Sequence, residues 1–249
     1  MKLIKLPISV DSNEQDKAPD SIIKEMRKGS LNESGKTPFF DIENIDNAED
    51  ITKRSKALMK DGCIFLGGSH IITFYTVKAF AESFPEPGLV FFDAHTDTGT
   101  GLVKETGLDI INSLIEGNII KKENIILVGI RSWDKKDYDY LTKNRIKFFD
   151  MKKITELGIK EATELIMENA RAFGSLYLSI DLDVVDPAFA VCGDDSVPGG
   201  LTSRELLYMI QKIKLMKNLK AADVMEATPS YDKNNIAVKL AAKIVAELF

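Results

Sequence analysis

Short, nearly unbroken apolar runs set between longer stretches of helical spacing constrain this fold most. CIFLG (63–67), GLVFFD (88–93), IILVGI (125–130), LYLSIDLD (176–183) and AADVMEA (221–227) carry few polar interruptions. A strand with one wet face alternates apolar and polar residues. An unbroken run instead suits a strand covered on both faces, as in a parallel sheet. KLIKLPI (2–8), FFDIENI (39–45) and KFF (147–149) add three further predicted strands. Helices are predicted from Pro19 to Gly29 and over AEDITKRSKALMK (48–60), IITFYTVKAFAESF (71–84), DIINSLIEG (109–117), SRELLYMIQKIKLM (203–216) and NNIAVKLAAKIVAELF (234–249). The expected fold class is α/β, with a central, mostly parallel sheet between helical layers. With no repeat, low-complexity tract or long linker, residues 1–249 are expected to form one domain.

The charge balance narrows the function classes. A net charge of -5 argues against nucleic acid or an acidic membrane as the main partner. No stretch approaches the roughly 18–20 apolar residues of a membrane span, and the first residues lack the apolar core of a signal peptide. Cys63 and Cys192 lie far apart and outside any CxxC pair, so a reducing compartment is expected. Together these features predict a soluble, cytoplasmic protein.

The chemistry is concentrated where predicted strands end. DAHTD (93–97) follows GLVFF, and in an extended segment its alternate residues Asp93, His95 and Asp97 project to one side. SIDLDVVDP (179–187) repeats the arrangement with Asp181 and Asp183, and LGGSH (66–70) brings His70 to the same end of the sheet. Ligand sites of open α/β sheets lie beyond the carboxyl ends of the strands. An isolated strand-end Asp commonly caps the following helix, and an isolated His is commonly structural. Here, however, both histidines of the chain fall in these motifs. Carboxylates with imidazoles and no sulfur suit manganese, zinc or iron. Burying so many carboxylates together requires a cation, and their number favours two divalent ions over one.

GGSH, DAHTD and SIDLDVVDP, followed by PGGLTSRE (198–205) and DVMEATP (223–229), resemble the arginase–agmatinase, or ureohydrolase, family in kind and in order. The resemblance runs from about residue 60 to the C-terminus, with a weaker match at DKAPDSI (16–22). It implies a three-layer αβα fold with a sheet of about eight strands. It also implies two Mn2+ ions per chain, a bridging hydroxide that attacks a guanidinium carbon, and urea as product. By motif, His70, Asp97, Asp93 and Asp181 would hold one metal, and His95, Asp93, Asp181 and Asp183 the other. Asp97 would orient the hydroxide, and Glu226 would pair with the substrate guanidinium, a planar donor suited to a carboxylate. Homo-oligomers, trimers or hexamers, are implied as well.

The sequence departs from the family in three places, one of them Ser69 in GGSH, where the family more usually has an acidic residue before the histidine. The family's loop histidine after DAHTD has no counterpart, since Thr106-Gly107 stands there. Glu105 becomes the neighbouring candidate for proton transfer. Between Pro187 and Gly199 the chain reads AFAVCGDDSVP, where Asp194 and Asp195 either receive a cationic substrate tail or form a solvated loop. Cys192 has no spare histidine to activate it and is expected to be an inert thiol. Asp134 only loosely resembles a substrate-loop acid. The expected activity is hydrolysis of a small linear guanidino compound, agmatine-like, at a manganese centre. Formiminoglutamate and arginine hydrolysis, a non-catalytic metal-binding relative and a single-zinc deacetylase type remain alternatives.

Overall fold

The structure is a computed structural model, and it describes residues 2–9, 14–29, 32–99, 109–194 and 196–249. Its strands are β1 (Lys2–Leu6), β2 (Asp41–Asn44), β3 (Cys63–Gly67), β4 (Pro87–Phe92), β5 (Ile125–Val128), β6 (Lys147–Phe149), β7 (Ser175–Asp181) and β8 (Leu219–Met225). They form one sheet in the order β2-β1-β3-β8-β7-β4-β5-β6. Every neighbouring pair is parallel.

Alternate residues of these strands enter two separate apolar clusters, one on each face. Ile64, Leu66, Val90, Phe92, Leu178 and Ile180 join the first. Phe65, Leu89, Phe91 and Tyr177 join the second. This division explains the unbroken apolar runs, because each strand must satisfy a core above and below. The first cluster is covered by α1 (Ala18–Met26), α6 (Met151–Leu157), α7 (Ile159–Ala170), α8 (Ser203–Ile213) and α9 (Ile236–Leu248). The second is covered by α2 (Ile51–Leu58), α3 (Ile72–Ala81), α4 (Ile110–Glu116) and α5 (Lys135–Asn144). The result is the expected three-layer αβα arrangement.

The helices α5, α6 and α7 were not anticipated from the sequence. Helix α5 buries only Leu141 and so shows no apolar stripe. It starts instead at a capping box, in which Asp134 accepts from Asp137 N–H and Asp137 accepts from Asp134 N–H. Helix α6 has 7 residues and buries only Ile154. Helix α7 has a stripe of Ala162, Ile166 and Ala170, but alanine gives that periodicity little contrast. The LTSRE segment proves to be another capping box, Thr202 with Glu205, that starts α8.

Candidate metal centre

Strand order gathers the motifs. The four central strands, β3-β8-β7-β4, end beside one another although they span residues 63 to 225. His70 follows β3, Asp93 to Asp97 follow β4, Asp181 ends β7 with Asp183 in the next turn, and Glu226 follows β8.

The six proposed ligands meet there. His70 Nδ1 lies 2.9 Å from Asp181 Oδ2, 3.0 Å from Asp93 Oδ2 and 3.8 Å from Asp97 Oδ2. His95 Nδ1 lies 2.8 Å from Asp183 Oδ2 and 3.4 Å from Asp93 Oδ1. Two groups able to hold a cation follow, His70 with Asp93 and Asp97, and His95 with Asp93 and Asp183. Asp93 belongs to both. Asp181 joins the His70 side through its close contact with Nδ1.

Local backbone donors aim three of the carboxylates. Asp93 Oδ1 accepts from His95 N–H at 2.6 Å, Asp181 Oδ1 from Asp183 N–H at 2.7 Å, and Asp183 Oδ1 from Ala94 N–H at 2.9 Å. In Asp181 and Asp183 one oxygen is thereby fixed by an amide while the other faces an imidazole. Asp97 is held differently, in the left-handed region at φ 45°. Glu226, at φ 60°, shares that conformation. Non-glycine residues rarely adopt it, and such positions cluster at functional sites.

The donor set suits divalent cations. His70, Asp93, Asp97 and Asp181 are buried, and His70 Nδ1 has no well-aligned hydrogen bond although Asp181 and Asp93 oxygens stand 2.9 and 3.0 Å away. A buried nitrogen without a well-aligned hydrogen bond among carboxylate oxygens fits a metal ligand. Crowding of these acids and imidazoles shifts how they titrate. Burial and then the Asp93 charge push Asp97 well above the ordinary carboxylate range, and burial and then Asp183 do the same to Asp181. Burial disfavours charge on His70, but Asp181 and Asp93 outweigh it and hold the imidazole well above its usual value. Hydrogen bonds to Asp183 and Asp93 raise His95 to about 11.

A further set of contacts fixes the cage from behind. The His70 ring stacks on Phe91 with centroids 4.5 Å apart, and its Nε2 lies 3.0 Å from Ser179 Oγ. Ser179 bonds in turn to Asp223, a fully buried carboxylate that also accepts from Thr73 and Tyr177 hydroxyls, each at 2.8 Å. With Nε2 engaged by Ser179, the tautomer that donates there presents a bare Nδ1 to the cage. On the other side, Arg131 donates to the carbonyls of Gly129, Asp183, Val184, Val185 and Val197. It thus ties the Asp183 turn to the 197–200 loop. Glu226 Oε1 accepts from His70 N–H at 2.6 Å, and Oε2 accepts from Gln15 Nε2. Ser179 stood within a quoted motif, but its contact with His70 was not anticipated. Asp223 likewise stood within a quoted motif, DVMEATP, without its role being anticipated, and Arg131 and Gln15 had no motif to mark them.

Other expectations separate. The Asp134 carboxylate is engaged as the cap of α5, accepting from Lys136 and Asp137 N–H. Asp194 accepts from Tyr231 OH at 2.8 Å. Cys192 is a buried free thiol, pushed well above its usual value by burial and then by Asp181 and Asp183. Glu105, Thr106-Gly107 and Asp195 lie outside the described residues.

Fold and site together define an α/β protein with a carboxylate–imidazole cage suited to a pair of divalent cations. Residues 9–249 match the arginase family. The chain is 30% identical over 224 residues to the arginase of Staphylococcus aureus (strain MRSA252), covering 83% of this chain and 74% of that protein. It is 30% identical over 214 residues to the agmatinase of Proteus mirabilis, covering 82% of this chain and 66% of that one. The formimidoylglutamase structure from Bacillus subtilis superposes with a TM-score of 0.92 at 23% identity, over 99% of this chain and 85% of the other. The chain belongs to the arginase family of ureohydrolases.

Proposed function

We propose that this protein is a manganese-dependent hydrolase of a linear, agmatine-like guanidino compound, releasing urea. The observation that carries the reading is the buried His70 Nδ1, without a well-aligned hydrogen bond, among Asp93, Asp97 and Asp181, with Glu226 bonded to the same residue's backbone. In this reading His70, Asp93, Asp97 and Asp181 hold one Mn2+ and His95, Asp93, Asp181 and Asp183 the other. When bound, the two ions acidify water and polarise the group under attack.

The chain's own residues supply the remainder. The Glu226 carboxylate accepts two parallel N–H bonds from the planar guanidinium and orients its carbon toward the cage. Asp97 accepts the proton of the attacking water and aligns it. The amine tail is favoured over a carboxylate tail by Arg131. Its N–H groups are engaged by backbone carbonyls, which leaves it poorly placed to pair with a substrate carboxylate. The acid Asp194, bonded to Tyr231, suits a cationic tail. The reading includes a cytoplasmic setting, consistent with two buried free cysteines, and a homo-oligomeric assembly, trimer or hexamer. Among the described residues, no helix is long and apolar enough to cross a membrane.

The test is urea release from agmatine and arginine, and formamide release from formiminoglutamate, with metal analysis of the same sample. Urea from agmatine with two manganese ions per chain is expected. No turnover of any compound despite two bound metals would sink the hydrolase reading. One zinc per chain would overturn the metal assignment.

A further inference from the structure

Gln15 is a buried polar side chain beside the cage that the proposed reaction does not use. It is 5% exposed and opens a 3₁₀ turn, Gln15–Lys17, immediately after Glu14 in the left-handed conformation at φ 58°. This turn is pressed against the segment that leads into His70. A Cβ added to Gly68 would stand 2.6 Å from Ile8 O and 2.9 Å from the carbonyl of Gln15, so only glycine permits the approach. The packing delivers Gln15 Nε2 to Glu226 Oε2, while His70 N–H holds Oε1.

A carboxylate has about four acceptor positions, two on each oxygen. His70 and Gln15 take one on each oxygen of Glu226. One on each remains, which is the number a planar pair of N–H donors requires. Fixing both oxygens also fixes the plane of the carboxylate. A bidentate partner must share that plane. Gln15 achieves this with a neutral amide, whereas Lys or Arg there would make the same bond and cancel the charge that attracts a cation.

We propose that Gln15 is a positioning residue that sets the plane of the Glu226 carboxylate, and that its neutrality reserves the charge of Glu226 for an amidinium-bearing substrate. This rests on the reading of Glu226 as the guanidinium partner, and the test separates the two. Gln15→Met keeps the approximate size and removes the donor. Gln15→Lys keeps a donor and adds charge. Crystal structures of both variants and of the native protein, with manganese content, are compared alongside kcat and KM on agmatine, arginine and formiminoglutamate.

In Gln15→Met, two manganese ions per chain are expected, with the Glu226 carboxylate rotated or in several orientations. KM should rise about tenfold with little change in kcat, the signature of lost uniform binding. Gln15→Lys should keep the orientation of Glu226 but raise KM further, by about a hundredfold. An unchanged Glu226 plane in Gln15→Met overturns the proposal, whatever the kinetics. So does a loss confined to kcat and accompanied by lost metal, which would mark a structural role. If the native protein turns over none of the three compounds, the hydrolase reading fails, and the Glu226 plane in Gln15→Met still decides the role of Gln15.

Discussion

Replacing Ser179 by alanine tests whether the imidazole of His70 is held for metal binding from behind. The substitution removes one hydroxyl, 3.0 Å from His70 Nε2, and leaves that buried nitrogen without its partner. Asp223 keeps Thr73 and Tyr177 as donors, so its carboxylate is not orphaned. The stability cost is therefore that of one unsatisfied buried donor, about 1–3 kcal/mol. Metal affinity should fall more selectively. Loss of a group that orients a ligating imidazole typically costs about ten- to a hundredfold, or roughly 1.4–2.8 kcal/mol. Only the His70 side should feel it, because the contacts of His95 run to Asp183 and Asp93. Calorimetric titration of manganese into the metal-free variant should show one site weakened and the other near its native affinity. Equal weakening of both sites, or no weakening at all, refutes the reasoning.

Two further outcomes follow from the same contacts. Arg131→Lys keeps the charge but cannot reach all five carbonyls that the guanidinium engages, so thermal unfolding should show a loss of about 2–4 kcal/mol, with metal lost first from the His95 side. Manganese should raise the melting temperature by an increment that grows with pH. The imidazole of His95, raised from 6.5 to about 11 in the metal-free fold, contributes stability that is full below pH 6.5 and lost as pH rises toward about 11. Cations displace that proton, so an increment that shrinks between pH 6.5 and 9 contradicts the cage described here.

How much of this was legible in the sequence depended on local geometry. Asp93, His95 and Asp97, like Asp181 and Asp183, declare themselves as alternate polar residues where strands run out, but the extended alternation expected of them does not hold, since Asp97 sits in the left-handed region at φ 45° and Asp183 in a 3₁₀ turn. The sheet was legible for a related reason, since strands buried on both faces lose the alternation of polar residues. Helix α5 was not, because its boundary is set by the Asp134 cap and its interior buries only Leu141. Gln15 was least legible of all. Its partner Glu226 lies 211 positions away, and they meet only because Gly68 admits the backbone of the N-terminal turn. Arg131 stands out as a basic residue, but its partners are backbone carbonyls, which no side-chain pattern announces.

The chemistry of the leaving group follows from where the histidines stand. The chain has two, His70 with Nδ1 in the cage and Nε2 against Ser179, and His95 with Nδ1 against Asp183. In the proposed reaction both are ligands, so neither serves as a general acid. The departing amine must take its proton from a carboxyl group or from water. Asp97 is the best placed of the cage carboxyls. Among the described contacts it lacks the backbone amide that holds Asp93, Asp181 and Asp183. A carboxyl group of ordinary acidity is largely ionised at neutral pH, so little of its acid form is available to protonate the departing amine. Turnover should therefore depend steeply on the leaving group. Across guanidino compounds of similar size, kcat should rise as the pKa of the departing amine falls. A series measured at saturating substrate and fixed manganese decides it. A flat dependence, with native kcat for the most basic amines, would mean that a dedicated acid is present and that the carboxyl route is wrong.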